Sequence, residues 1–189
     1  MSYNNPNITT SNLPGIDAAI YSLQTALATK FAWMKVFHRA YPFREKNMET
    51  GRKSEIPKVW IGGNEYMNIL PNDFLKGQAF FVLTGEEDVK VFNPSTDMDI
   101  EVSVSLIIWV NTSQIPGHVQ GPSIANLKAD VLELIGSADN VLKITSFTDQ
   151  DAEEIFDGFT IDDIDTQYLM LPYAGLRVNM VLKYNYSIC

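Results

Sequence analysis

The sequence predicts an α+β fold in which a mixed, mainly antiparallel sheet carries two helices packed on one face. Residues 99–110 and residues 176–187 alternate apolar and polar side chains with a period of two, which indicates two long strands that each bury one face. Residues 14–37 and 122–136 instead repeat apolar side chains at spacings of three and four, which is typical of amphipathic helices. We therefore expect both helices on the apolar side of one sheet, and a polar but ordered face on its other side.

The length and composition are typical of one folded domain. The chain has 189 residues, of which 46% are hydrophobic, and we expect a flexible N-terminal arm over residues 1–13 and a single domain over residues 14–189. The one cysteine, Cys189, has no partner for a disulfide within the chain. No signal-peptide pattern and no apolar run of membrane-spanning length occurs in the sequence, so we expect an intracellular protein without a membrane partner.

The first part of the chain is predicted to contain one helix, a loop and a short strand. The helix begins at Pro14, which is tolerated in a first turn, and ends before Pro42, which disfavours helical backbone in the preceding residue. Residues 42–57 are charged and lack an apolar period, so we expect an exposed loop there. Residues 58–61 are predicted to form a short strand that ends at Gly62.

The second part is predicted to contain a central hairpin, a helix and two further strands. The hairpin pairs residues 78–84 and 89–92 with residues 99–110. The second helix begins at Pro122 and ends at Gly136, because glycine is favoured just after a helix. The remaining predicted segments are a strand over 141–147, an irregular acidic segment over 148–166, and the long last strand over 176–187.

No group of residues matches a catalytic, cofactor-binding or metal-binding motif. His38 and His118 are the only histidines, and neither has Cys, Asp or Glu at metal-ligand spacing, so we interpret both as surface residues. The run of acids Asp149, Asp151, Glu153, Glu154 and Asp157 lacks the glycine and the closing glutamate of a calcium loop. Asp162, Asp163 and Asp165 have no basic or nucleophilic partner nearby in the sequence. A small metal-dependent hydrolase that uses these acids stays a third hypothesis, but we expect no enzyme, no cofactor and no metal.

Charge is distributed unevenly along the chain. Between Lys30 and Lys58 there are eight basic residues and three acids, whereas between Thr145 and Thr166 there are eight acids and neither Lys nor Arg. The net charge of −9 argues against binding nucleic acid through its phosphates, which needs clustered Lys and Arg. It suits a surface past which DNA slides without lodging.

Two stretches stand out beside the order of the elements, namely Val82-Leu83-Thr84-Gly85-Glu86-Glu87 leading into the strand from Asp99 to Trp109, and Ala174-Gly175-Leu176 at the start of the last strand. Together with the order of the elements, they resemble the tail terminator family of long-tailed bacteriophages. The pattern covers residues 14 to 187, and the chain is longer than typical members in residues 1–13, 42–75 and 148–168. A neck or head-completion protein of the same broad fold has a similar pattern.

The resemblance implies a structural virion protein that forms a homohexameric ring, caps the tail tube and joins it to the head. Its partners are then copies of itself, the tail tube protein and head–tail connector proteins, and DNA passes through the ring without specific binding. The protein is then assembled in the host cytoplasm and lies in the tail and neck of the virion. The alternative is a non-enzymatic, protein-binding adaptor that docks a partner strand on the polar sheet face or on an exposed edge.

A ring built from head-to-tail contacts needs two different, complementary patches on each subunit. We expect the basic loop and the acidic segment to supply them, with charges that steer docking and apolar side chains that supply affinity. The apolar set includes Met48, Ile155 and Phe159. The predicted interface residues are Phe43, Arg44, Lys46, Arg52, Lys53, Asp149, Asp151, Glu153, Glu154, Phe156 and Asp157.

Overall fold

The computed structural model describes residues 14–46, 51–93, 97–116, 124–161, 164 and 166–187. Within these ranges it contains one mixed, mostly antiparallel sheet of seven strands together with three α-helices, which confirms the predicted α+β fold. In chain order the elements are α1 (Gly15–Lys30), β1 (Lys35–Lys46), β2 (Lys53–Gly62), β3 (Glu65–Asn68), β4 (Gly77–Asn93), β5 (Asp97–Asn111), α2 (Ala125–Gly136), β6 (Val141–Thr148), α3 (Ala152–Ile155) and β7 (Tyr173–Ser187). The strands lie in the order β3-β2-β1-β4-β5-β7-β6.

Strand β5 is the element around which the sheet is built. It pairs antiparallel with β4 on one side, which confirms the predicted central hairpin. On its other side it pairs antiparallel with β7 along its whole length, from Asp97 opposite Ser187 to Asn111 opposite Tyr173. The two long alternating strands therefore lie side by side in one sheet, as their patterns predict.

Helices α1 and α2 pack on the same face of the sheet, as predicted. The helical repeat brings Ile20, Leu23 and Leu27 of α1 to one side of that helix, where all three are buried against the sheet. Val131 and Ile135 of α2 join the same core. Burying one such side chain stabilises the fold by about 1.5–3 kcal/mol, so this core fixes α1 on β1 and β7, and α2 beside α1 and β6. Among the described residues, no helix is long and apolar enough to cross a membrane.

The opposite face of the sheet is not polar throughout, and in this respect the prediction is wrong. Ser103 and Ser105 of β5 lie on this face, but Ile107 and Trp109 follow them and are buried. Their cover is a segment that we name the strap, which comprises residues 149–161, 164 and 166–172. The strap side chains in this second core are Ala152, Ile155, Phe156, Phe159, Ile161, Ile164, Tyr168 and Leu169.

The strap crosses the face from one side of the sheet to the other. It begins beside β6 and β7, where α3 packs on β7. It reaches β2 at Thr160, whose backbone N–H donates to the Glu55 carbonyl at 2.8 Å and whose hydroxyl accepts from the Glu55 N–H at the same distance. These hydrogen bonds fix the course of a segment whose sequence shows no strand or long helix period.

The first helix is shorter than predicted, and the predicted exposed loop over residues 42–57 is largely a hairpin. Helix α1 ends at Lys30 and a turn follows, in which the Met34 N–H donates to the Phe31 carbonyl. Strand β1 then begins at Lys35, because it contains Val36 and three aromatic residues (Phe37, Tyr41 and Phe43), which favour extended backbone. The apolar spacing of α1 continues through Phe31 and Met34, and this continuation makes the helix look longer in the sequence.

Strand β1 changes partner halfway along. Residues 35–39 pair parallel with β4, with a register shift between Val36 and Arg39. Residues 40–46 then pair antiparallel with residues 53–59 of β2, from Ala40 opposite Val59 to Lys46 opposite Lys53. We name these paired residues the hairpin arm. The predicted strand over 58–61 is the end of β2. The predicted flexible arm over residues 1–13, and residues 47–50 with Met48, lie outside the described residues.

Candidate functional site

The predicted basic patch lies on the hairpin arm. Arg44 is exposed, and its Nε donates to Glu55 Oε1 of the opposite strand at 2.8 Å. Lys46 and Lys53 are exposed and directly opposite each other, and Arg52 is exposed next to them. Like charges opposite each other on two strands destabilise the pairing. Acidic side chains bound at the end of the arm would relieve this repulsion.

Phe43, also predicted in the interface, packs largely within the subunit. Its ring lies 4.7 Å from the ring of Tyr66, and Lys58 Nζ lies 5.4 Å from the same ring. Lys58 also pairs with Glu45. Tyr66 and its neighbours Trp60 and Ile61 are more exposed than Phe43. The sequence pattern of β2 and β3 is too short to identify these three residues as an apolar surface of the arm.

The predicted acidic patch surrounds a cleft between β6, α3 and β7. Asp151, Glu153, Glu154 and Asp157 line this cleft and are exposed. Its volume is about 640 Å³. The other lining residues are Ser146, Phe147, Thr148, Arg177 and Asn179.

Several of these acids also have partners within the subunit. Asp149 accepts a hydrogen bond from Lys128 Nζ at 2.7 Å and is half-buried. Asp151 caps α3, because its Oδ1 accepts from the Glu153 N–H at 2.9 Å. Glu154 Oε2 accepts from the Thr148 hydroxyl at 2.8 Å. These contacts hold the acids in place at the β6 edge of the sheet.

The floor of the cleft is a buried polar network centred on Arg177. This residue is 5% exposed, and burial lowers the pKa of its guanidinium. Its Nη1 donates to the carbonyls of Asp157 at 2.7 Å and Ile155 at 3.3 Å, so it ties the strap to β7. Its Nε donates to Asn179 Oδ1 at 3.1 Å, which also accepts from the Ser105 hydroxyl at 2.5 Å. The sequence places Arg177 on the polar face of β7 but does not indicate this role.

Two apolar residues predicted to supply affinity are part of the monomer core, which corrects the prediction. Phe156 is 0% exposed and packs against Trp109, and Ile155 is buried beside it. Phe159 is half-buried and lies edge to face on Phe80 at 6.1 Å. The acids around these residues made the whole segment look exposed in the sequence. The apolar side chains that are exposed at this edge belong to β6 instead, namely Leu142 and Phe147.

His38 is also placed differently from the prediction, which assigned it to the surface. It lies on β1 and is buried, and its Nε2 is 3.1 Å from the Asp17 carbonyl oxygen. Burial lowers its pKa, although the nearby Asp17 has the opposite, smaller effect. His118 lies outside the described residues.

The described part of the chain contains no group of three His, Cys, Asp or Glu side chains placed to hold a metal ion. Asp162, Asp163 and Asp165, which belong to the acidic run of the sequence, lie outside the described residues.

The basic and acidic patches lie towards opposite edges of the sheet. The hairpin arm belongs to β1 and β2, next to the edge strand β3, whereas Asp149, Asp151, Glu153 and Glu154 lie beside the other edge strand, β6. Five strand spacings separate β2 from β6 in the strand order, a path of roughly 24 Å along the sheet. Asp157 is the exception, because it lies further along the strap, beside Arg177.

No protein-family model matches the chain, and a comparison with curated proteins finds no match.

Proposed function

We propose that the protein is a structural subunit of a bacteriophage virion that assembles head to tail into a ring, as a tail terminator or a related neck component. The ring caps the tail tube and joins it to the head, and its other partners are the tail tube protein and head–tail connector proteins. The observation that carries this proposal is the placement of a basic hairpin arm and an acidic cleft towards opposite edges of one sheet.

A closed ring with cyclic symmetry joins one surface of each subunit to a different surface of the next. Patches of opposite charge on opposite sides of a subunit meet this requirement, because each copy then presents its arm to the cleft of its neighbour. Like charges repel when two arms or two clefts approach each other. The charge layout therefore favours head-to-tail contacts over two-fold contacts through these patches.

Affinity in this interface comes from apolar side chains beside the charges. Leu142 and Phe147 are exposed on β6 next to the acidic cleft, and Trp60, Ile61 and Tyr66 are exposed at the opposite edge. In the proposed interface these exposed residues take the role predicted from the sequence for Ile155 and Phe156, whose side chains are buried in the monomer core. Aromatic residues in the centre of an interface contribute most of its affinity, whereas charges at the rim mainly set orientation and association rate.

The remaining parts of the proposal rest on the net charge and on the likeness to tail terminators. A net charge of −9 suits a passage for DNA, because an acidic surface does not retain the phosphate backbone. The protein then lies in the tail and neck of the virion after assembly in the host cytoplasm. Activity as an enzyme is no part of the proposal.

Charge reversal tests the ring. We expect the wild-type protein to run as a closed oligomer in size-exclusion chromatography with light scattering, and Glu153→Lys with Glu154→Lys to run as a folded monomer. Asp151 is left unchanged because it caps α3. The matched control is Glu86→Lys with Asp88→Lys, which reverses two exposed acids on β4 and should leave the ring intact. If the variant with Glu153→Lys and Glu154→Lys still forms a ring, the proposal is contradicted. If the wild-type protein is a monomer, the adaptor function is favoured.

A further inference from the structure

Three large apolar side chains are exposed at one end of the domain, away from both charged patches. Phe74 is 86% exposed, Leu171 68% and Met170 61%, which makes them the most exposed large hydrophobic residues among those described. They lie on the loops before β4 and β7, at the end of the sheet where β5 finishes. We name these three residues the apolar tip.

The two loops of the apolar tip are joined and fixed by hydrogen bonds. The Tyr173 hydroxyl of one loop donates to Asp73 Oδ1 of the other at 2.8 Å. The Phe74 N–H donates to Asn72 Oδ1 at 3.0 Å, and the Thr112 N–H donates to the Pro172 carbonyl at 2.8 Å. The backbone that carries Phe74 and Leu171 is therefore held in one conformation. Because this backbone is already ordered, a partner that covers the tip has to order only the side chains and not the loops.

The charges next to Phe74 favour a contact between identical surfaces. Asp73 precedes Phe74 and the exposed Lys76 follows it two residues later, so the same loop carries one acid and one base. When two copies meet around a two-fold axis, each contact occurs twice: a residue of the first copy faces a different residue of the second, and the same two residues also meet with the copies exchanged. Asp73 of each copy can then pair with Lys76 of the other. The apolar centre between them is buried without an unpaired charge.

The area of the apolar tip indicates a weak contact. Its three side chains expose roughly 400 Å² if the scale of about 150–250 Å² for a buried aromatic residue is applied. Two copies then bury roughly 800 Å² in total, which is less than the roughly 1,200 Å² of a stable protein pair. A contact of this size is transient between single subunits. It becomes effective when many copies act together, as between two stacked rings.

We propose that the apolar tip is a self-association surface, through which two copies of this chain meet around a two-fold axis at Phe74, Met170 and Leu171. The contact goes beyond the head-to-tail interface and does not depend on it. If the ring forms, the tips join two rings face to face. If the ring does not form, the tips join two subunits into a weak dimer.

Disulfide trapping tests the two-fold geometry. A two-fold axis brings the same residue of both copies together, so Leu171→Cys in a Cys189→Ser background should form disulfide-linked dimers at high protein concentration. The matched control is Val89→Cys in the same background, since Val89 is also exposed but lies on β4 in the central hairpin. We expect at least about tenfold more dimer for Leu171→Cys, as for a residue at the centre of an interface. Equal trapping at both positions overturns the proposal.

Sedimentation equilibrium tests the apolar contact itself. We expect Phe74→Ser to weaken the concentration-dependent doubling of mass by about tenfold or more without unfolding the protein, because the side chain is exposed. Doubling that is unchanged in Phe74→Ser, or no doubling in the wild type at millimolar concentration, overturns the proposal. A third result also overturns the proposal: the wild type binds phosphatidylcholine vesicles and Phe74→Ser does not. The apolar tip is then a membrane anchor. The variant with Glu153→Lys and Glu154→Lys should keep the tip contact, so failure of the ring and failure of the tip are distinguishable.

Discussion

The rings of Trp109 and Phe156 lie 5.2 Å apart at an interplanar angle of 56°, and this contact fixes the strap on the central strand of the sheet. Trp109 belongs to β5 and Phe156 follows α3, so the contact joins the most buried strand to the segment that bears the acidic cleft. The position of the acids therefore depends on a hydrophobic core beneath them.

The first prediction concerns this core. Phe156→Ala should lower the free energy of unfolding by about 3–5 kcal/mol, because it removes a fully buried aromatic ring and leaves a cavity against Trp109. Urea unfolding followed by tryptophan fluorescence measures the change. Val89→Ala is the control, since Val89 is about half exposed on β4 and belongs to neither proposed interface, and the unfolding free energy should change by less than about 1 kcal/mol. Equal effects at the two positions contradict the assignment of Phe156 to the core.

The second prediction concerns the anchoring of the strap by Arg177. Arg177→Met keeps most of the side-chain volume but removes the donors to the carbonyls of Ile155 and Asp157. We expect the free energy of unfolding to fall by about 2–4 kcal/mol, because buried acceptors lose charged donors. Limited proteolysis should then cut within the strap earlier than in the wild type. Lys183→Met, at an exposed position further along β7, should leave the cleavage pattern unchanged.

The third prediction concerns a glycine that passes close to Trp109. A Cβ atom added to Gly175 would lie 2.3 Å from Trp109 Cε3, so Gly175→Ala should destabilise the protein by about 1–3 kcal/mol through overpacking. Thermal unfolding measures the change. Gly136→Ala is the matched control, because an added Cβ meets nothing within 4 Å at the end of α2. This second substitution should be neutral or raise the unfolding free energy by up to about 1 kcal/mol.

The fourth prediction concerns pH. Burial holds the pKa of His38 below its ordinary value of 6.5 in the folded protein, so the unfolded chain binds a proton more readily there. The corresponding stabilisation is complete above pH 6.5 and is lost as the pH falls below it. His38→Gln should therefore flatten the decline in unfolding free energy from about pH 7 to about pH 5, measured by denaturant titration at each pH. An unchanged slope in this variant contradicts the lowered pKa of His38.

The parts of the fold that follow from local periodicity were predicted correctly. Strands β5 and β7 have long alternating patterns, and α2 has a clear helical repeat, because each element has one face that packs against the helix-side core along its length. Strand β1 was missed because it changes partner after residue 39, and its apolar side chains therefore do not keep one alternation. The strands of the hairpin arm were missed as well. Ion pairs between the two strands, such as Arg44 with Glu55, stand where a typical strand pattern has apolar side chains.

The sequence predicted the exposed charged residues of the candidate site, but it did not predict which apolar residues of the site are buried and which are exposed. Exposed charges follow from the sequence, because charged side chains are rarely buried without partners. Phe156 and Arg177 have their roles only through long-range packing of the strap on the sheet, which no local pattern encodes. The exposure of Phe147 depends on β6 being an edge strand, and strand order is also a long-range property.

Mixing two charge-reversed variants and weighing the products by native mass spectrometry tests the ring most directly. One variant has Lys at Glu153 and Glu154, and the other has Glu at Lys46 and Lys53 on the hairpin arm. Each should remain monomeric alone, because its arm and its cleft have the same sign. Mixed in equal amounts they should form rings in which the two variants alternate, since each arm then meets a cleft of opposite charge. Two variants that stay monomeric when mixed, or that each close a ring alone, contradict the proposed interface.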